Sequence, residues 1–134
     1  MDDILINKTA IIERCLGRVA EEYVGAEDKI ETDDTRQDSI ILNLQRACEA
    51  AIDMGNHLIK RERLGIPQSS RDTFNLLSRA GVILEELSKN LQRMVGFRNI
   101  AVHDYQNLSI AILKSVLDHH LGDFARFCER LLNR

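Results

Sequence analysis

At 134 residues, with 44% hydrophobic and 29% charged side chains, the chain is long enough to bury a core and too apolar for disorder; residues 1–134 read as one domain. A net charge of −3 excludes the overall basic surface of a dedicated nucleic-acid binder, although 18 Lys and Arg leave room for a local one. No stretch approaches the length of a membrane span, and the start, MDDILINK, lacks the basic region of a signal peptide, so a cytoplasmic protein is expected.

Aromatic residues make up 4% and Trp is absent, which predicts an aliphatic core. A single proline, Pro67, among abundant Leu, Ala, Glu and Arg predicts an all-α fold. Apolar residues from Ile4 to Tyr23 recur every three or four positions, giving a first helix of about six turns. Gly25 and the acidic segment AEDKIETDDT break it, and Asp34 or Thr35 is placed to cap the next. Ile40, Ile41, Leu44, Cys48, Ala51, Ile52, Leu58 and Ile59 form a long second helix. Its end is basic, with Lys60, Arg61 and Arg63, before Gly65 and Pro67 stop it.

Ser69 and Asp72, at capping-box spacing, open a short third helix that ends before Gly81. A fourth begins near Val82 and runs into FRNIAVHDY, Phe97 to Tyr105. Ser109 is placed to cap a last helix, whose Leu113, Leu117, His120, Phe124, Phe127 and Leu131 alternate steps of four and three, the seam of a bundle. The expected architecture is an antiparallel four-helix bundle with one short additional helix. Cys15, Cys48 and Cys128 occupy apolar positions and no metal-ligand spacing; they read as buried free thiols suited to a reducing compartment. Neither a metal nor a cofactor is expected.

FRNIAVHDY concentrates the reactive side chains. On an ideal helix Arg98 and His103 lie about 140° apart around the axis and about 7.5 Å apart along it. Either the helix ends or distorts near His103, or the two meet across an interface. With Asn107 and Ser109 following at once, His103, Asp104 and Tyr105 are placed at the frayed end of the fourth helix, where side chains can converge on a cleft. The pair suits metal-free cleavage of RNA. An imidazole can take the proton of a 2′-hydroxyl or give one to a leaving 5′-oxygen, and a fixed guanidinium can meet the charge that builds on phosphate. One histidine cannot hold both protonation states at once, so a symmetric homodimer would supply base and acid together.

Arg-x4-His alone is a weak signal; Tyr105 two residues on makes it more specific. Asp53 and His57 share a face of the second helix four residues apart, with mutual structural pairing weighed against a groove-lining role for both and for Asp104. His119 and His120 fall inside the last helix, His120 on the seam as an interface residue. Lys60, Arg61, Arg63, Arg71 and Arg79 are either an RNA- or partner-facing surface or scattered solvated charge.

Arg98-Asn99-Ile100-Ala101-Val102-His103-Asp104-Tyr105 resembles the signature of the HEPN superfamily. Together with QRACEAAIDMGNHLIKRERLGIP, NLLSRAGVI and LQRMVGFRNIAVHDY it looks more narrowly like the HepT-type toxins, and the likeness covers essentially the whole chain. The resemblance implies a helical dimer with metal-independent ribonuclease activity in the groove between protomers, the toxin of a type VII toxin–antitoxin system. It implies that Arg98 and His103 are catalytic, with Asn99 the polar neighbour that orients them. It also implies a partner, a minimal nucleotidyltransferase antitoxin that attaches AMP to Tyr105. The rival from another class is a non-catalytic helical dimer that docks a nucleotidyltransferase or a nucleotide.

Overall fold

The computed structural model describes residues 2–134. Among them are six α-helices: α1 (Asp3–Tyr23), α2 (Asp34–Glu62), α3 (Ser70–Arg79), α4 (Glu85–His103), α5 (Ile110–His119) and α6 (Leu121–Leu132). Helices α1, α2, α4 and α6 form the bundle, α1 lying along α2 for most of its length; α3 is the short additional helix.

Local chemistry sets the boundaries. The Asp2 carboxylate accepts from the backbone N–H groups of Ile4 and Leu5, at 3.0 and 3.2 Å, and starts α1. Asp33, one residue ahead of the expected Asp34, starts α2 by accepting from the Arg36 N–H at 3.0 Å. The end of α2 comes before Gly65. Arg63 takes a left-handed conformation (φ 55°) and the Leu64 N–H returns to the Ile59 carbonyl at 3.0 Å, closing the last turn. Ser69 caps α3 through the Asp72 N–H, 3.1 Å, while Asp72 accepts from Gln68 rather than from Ser69. Ser109 caps α5 through the Ile112 N–H, 3.3 Å.

The expected single last helix is two. The chain breaks at His120 (φ −123°, ψ −1°), whose N–H donates to the Val116 carbonyl and closes α5. The buried Asp123 carboxylate opposite accepts from Arg126 at 2.7 Å and lies 3.0 Å from Nδ1 of His120. Leu113, Leu117, Phe124, Phe127 and Leu131 are buried on both sides of the break, so the seam survives it. His120 is half-buried at the kink and not packed within the seam.

The core is mainly aliphatic, yet its largest fully buried side chains are Phe74, Phe124 and Phe127, a correction to the aliphatic expectation. Phe74 of α3 meets Phe127 of α6 edge to face, with ring centroids 5.4 Å apart. All three cysteines are buried free thiols. This packing needs α3 close to α2, and Gly55 allows it. A Cβ there would lie 2.6 Å from the Thr73 methyl and 3.1 Å from Leu77. Thr73 cannot swing aside, because it is fully buried and its hydroxyl donates to Asn56 at 2.6 Å. Overpacking costs about 1–3 kcal/mol and alanine gains roughly 1 kcal/mol over glycine within a helix. Gly55→Ala is therefore expected to destabilise the fold by about 1 kcal/mol, read as a lower urea midpoint; an unchanged midpoint would show that α3 can retreat.

No helix among the described residues is long and apolar enough to cross a membrane.

Candidate active site

Helix α4 carries the motif. Its buried Phe97 and Ala101 join the same core as Leu44, Cys48 and Ala51 of α2, and this fixes the rotation of α4 about its own axis. Residues 98, 99, 102 and 103 are thereby turned away from the core. The helix continues unbroken through His103 and ends at Asp104, whose N–H donates to the Ile100 carbonyl at 2.9 Å. The helix is undistorted between Arg98 and His103 and ends directly after His103, where the sequence places its frayed end. The side chains flank an outward face about 140° wide, with Asn99 and Val102 between them.

Arg98 sits at the edge where α4 meets α2 and is half-buried. Its Nε and Nη2 donate to Oε2 of Glu49 on α2, at 3.3 and 3.0 Å, and its Nη1 donates to Oδ1 of Asn99 at 3.0 Å. Those bonds use three of the five guanidinium N–H groups and hold the plane of the fork, leaving the others for an anion. Glu49 belongs to no reactive motif in the sequence. The only signal for it is a carboxylate set in the apolar run ACEAAI. His103 stands exposed in the last turn of α4.

Asp104 terminates α4, and its carboxylate accepts from Asn107 Nδ2 at 2.9 Å, bracing the turn Tyr105–Asn107. That turn carries Tyr105 across to the start of α2, where its hydroxyl donates to Oδ1 of Asp38. Partial burial, then the hydrogen bond to Asp38 and the charges of Asp38 and Asp34, push the phenol up to about 12. The other tyrosine, Tyr23, also donates to an aspartate, Asp118 at 2.6 Å, but is buried. Tyr105 remains 43% exposed.

Asp53 and His57 do not pair with each other; both reach α1. Asp53 meets Lys8 Nζ at 3.2 Å, and His57 Nε2 lies 2.7 Å from Oδ2 of Asp2, an oxygen that also accepts from Arg61 at 2.9 Å. Against the effect of burial, His57, the Leu5 N–H and Arg61 together hold the Asp2 carboxyl down at about 2. His57 and Arg61 thus tie the chain start to α2. Asp53 lines an open groove between α1 and α2, together with Arg14, Arg18, Arg46 and Glu49. The Glu49 of this groove is also the partner of Arg98. Of Lys60, Arg61, Arg63, Arg71 and Arg79, which the sequence leaves as either an RNA- or partner-facing surface or scattered solvated charge, Arg61 is engaged with Asp2 and Glu62. Exposed apolar side chains, Leu42 on α2 and Ile100 and Val102 on α4, surround the motif. Among the described residues no three His, Cys, Asp or Glu side chains gather closely enough to hold a metal ion.

Residues 12–131 match the model of the ribonuclease HepT-like family. The chain belongs to the HepT-like family. It is 54% identical over 129 residues to the mRNA nuclease HepT of Shewanella oneidensis, with 96% of each chain covered. The fold matches that of a tri-AMPylated Shewanella oneidensis HEPN toxin solved in complex with its MNT antitoxin, with a TM-score of 0.95, 51% identity and all of both chains covered. A solved toxin–antitoxin structure with AMP-PNP matches with a TM-score of 0.92 and 51% identity, covering 98% of this chain and 99% of the other. The HepT-like fold is thus present from end to end, with the Arg98–His103 segment at the end of its fourth helix.

Proposed function

We propose that this chain is a cytoplasmic, metal-independent RNA endonuclease, the toxin of a toxin–antitoxin pair, and that it acts as a homodimer. The observation that carries this reading is the unbroken course of α4. A regular helix keeps Arg98 and His103 of one chain on opposite borders of an exposed face, and that face is ringed by the exposed Leu42, Ile100 and Val102. Two copies laid face to face about a two-fold axis would cover the apolar residues and bring two guanidinium groups and two imidazoles into one groove.

In that groove one imidazole takes the proton of a ribose 2′-hydroxyl. The 2′-oxygen attacks the adjacent phosphorus, the O2′–P bond forms and the P–O5′ bond breaks. The second His103 gives its proton to the departing 5′-oxygen, leaving a 2′,3′-cyclic phosphate. Arg98, already held in plane by Glu49 and Asn99, offers its remaining N–H groups to the phosphoryl oxygens as charge develops. Asn99 orients Arg98. The groove bearing Arg14, Arg18 and Arg46 supplies the basic approach that a net charge of −3 would otherwise deny to RNA.

Tyr105 is the residue that a minimal nucleotidyltransferase antitoxin modifies with AMP. Its phenol is exposed two residues beyond His103, so an attached nucleotide sets negative charge and bulk beside the catalytic imidazole, and both repel an RNA backbone.

Incubating the purified chain with single-stranded RNA in excess EDTA tests the reading. Fragments ending in cyclic phosphate or its hydrolysis product are expected. RNA left intact under conditions where the chain is folded would overturn the assignment.

A further inference from the structure

We propose that Asp38 is built into the modification site, orienting the Tyr105 hydroxyl and taking its proton when that oxygen is adenylylated. The inference rests on the reading that Tyr105 receives AMP.

Asp34 and Asp38 lie one helical turn apart at the start of α2, on the side reached by the turn Tyr105–Asn107. That turn is held by Asp104, and within it the Tyr105 hydroxyl donates to Oδ1 of the exposed Asp38. A phenol whose O–H is committed to a carboxylate keeps its oxygen lone pairs free, and at Tyr105, 43% exposed, the α-phosphorus of a nucleoside triphosphate can approach them. The same neighbours make the free phenolate scarce. With the phenol pushed up to about 12, only about one molecule in 10⁵ carries a preformed nucleophile at neutral pH. Attack must therefore proceed from the protonated phenol, with the proton leaving as the new bond forms, and the group already hydrogen-bonded to that proton is Asp38.

The step balances. The Tyr105 Oη–Pα bond forms, the bond from Pα to the oxygen bridging the β-phosphoryl group breaks, pyrophosphate departs, and the phenolic proton passes to Asp38 and then to water. As Oη bonds to phosphorus its proton becomes far more acidic, so a carboxylate can take it in the transition state although it does not deprotonate the resting phenol. Once AMP is attached, Oη has no proton to donate. The hydrogen bond to Asp38 is lost, and the phosphodiester anion is repelled by Asp38 and Asp34. The nucleotide is thus turned away from the start of α2.

The test uses the full chain with its nucleotidyltransferase partner and ATP, and follows AMP incorporation by intact mass from pH 6 to 10 for wild type, Asp38→Asn, Asp38→Glu and Tyr105→Phe. Asparagine can still accept the hydroxyl hydrogen bond but has no basicity. Asp38→Asn is expected to slow the first addition by about 10²-fold or more at pH 7 and to recover as rising pH supplies phenolate, while Asp38→Glu keeps most of the rate. An Asp38→Asn rate and pH profile matching wild type would overturn the inference and leave Tyr105 as the acceptor. A loss equally deep in Asp38→Glu and unchanged at every pH would also overturn it, because that is the mark of a displaced turn. Wild type that takes up no AMP would overturn the reading of Tyr105 and this inference with it.

Discussion

His103→Ala is expected to lower the rate of RNA cleavage by about 10²–10⁴-fold, the range a positioned general acid or base supplies. In the proposed reaction both protons pass through this side chain, once in each protomer, so one substitution would remove base and acid together and the upper end of that range is the expected one. The fold should not change. His103 is exposed in the last turn of α4 and contributes nothing to the core, so its removal should move the melting temperature little. Arg98→Ala is expected to cost about 10²–10³-fold, as the loss of a preorganised charge does. It also leaves Glu49 on α2 without its partner, at a point where the pair is partly solvated, so a small drop in stability should accompany the loss. Arg98→Lys should not restore activity. The planar fork donates to both Glu49 and Asn99 and would hold the charge in the proposed groove, which an ammonium cannot reproduce. The double variant should be scarcely worse than either single one, because both groups act in one step. Gel-based cleavage kinetics beside a thermal melt decide these points; native cleavage by either single variant would remove that residue from the site.

Tyr105→Phe is expected to separate toxicity from its control. The ring is kept and the hydroxyl is lost, so unmodified RNA cleavage should continue while the nucleotidyltransferase can no longer attach AMP. Cells expressing the variant together with the partner should stop growing as fully as cells expressing the toxin alone, and the intact mass should carry no added AMP. Tyr23 is not expected to take over, since its side chain is buried in the core and its hydroxyl donates to Asp118. Normal growth of the co-expressing cells would show that binding by the partner, without modification, is enough to silence the toxin.

The parts of the fold that sequence made legible are those decided within one or two helical turns. Ser69 and Ser109 are caps because a hydroxyl meets an N–H three residues on, and spacing alone reports that. The α4 motif stands out because polar side chains interrupt an apolar period at a helix end. The break at His120 was hidden because Leu113, Leu117, Phe124, Phe127 and Leu131 satisfy the same burial pattern in a straight helix and in a kinked one. Its cause is a buried carboxylate, Asp123, that local propensity does not announce. The partners of the motif were also hidden. Glu49 and Asp38 lie 49 and 67 residues from the groups they hold, and periodicity states which face of a helix is buried, not which side chain of another helix will meet it. Asp53 and His57 show the limit in the other direction. Four-residue spacing suggests mutual pairing, but Lys8 on α1 and Asp2 at its cap are the partners that Asp53 and His57 take.

The measurement that bears most directly on the shared groove combines oligomeric state with activity. Ile100→Glu and Val102→Glu together place like charges on the exposed side of α4, Val102 between Arg98 and His103 and Ile100 just beyond His103, without changing either side chain or the core. Sedimentation is expected to show wild type as a dimer and the double variant as a helical monomer with a native melting profile, and the monomer should cleave RNA at least about 10²-fold more slowly because each half-site lacks its second imidazole. A monomer that cuts at the wild-type rate would mean that one chain holds the whole reaction, and the two-fold account of the site would be wrong.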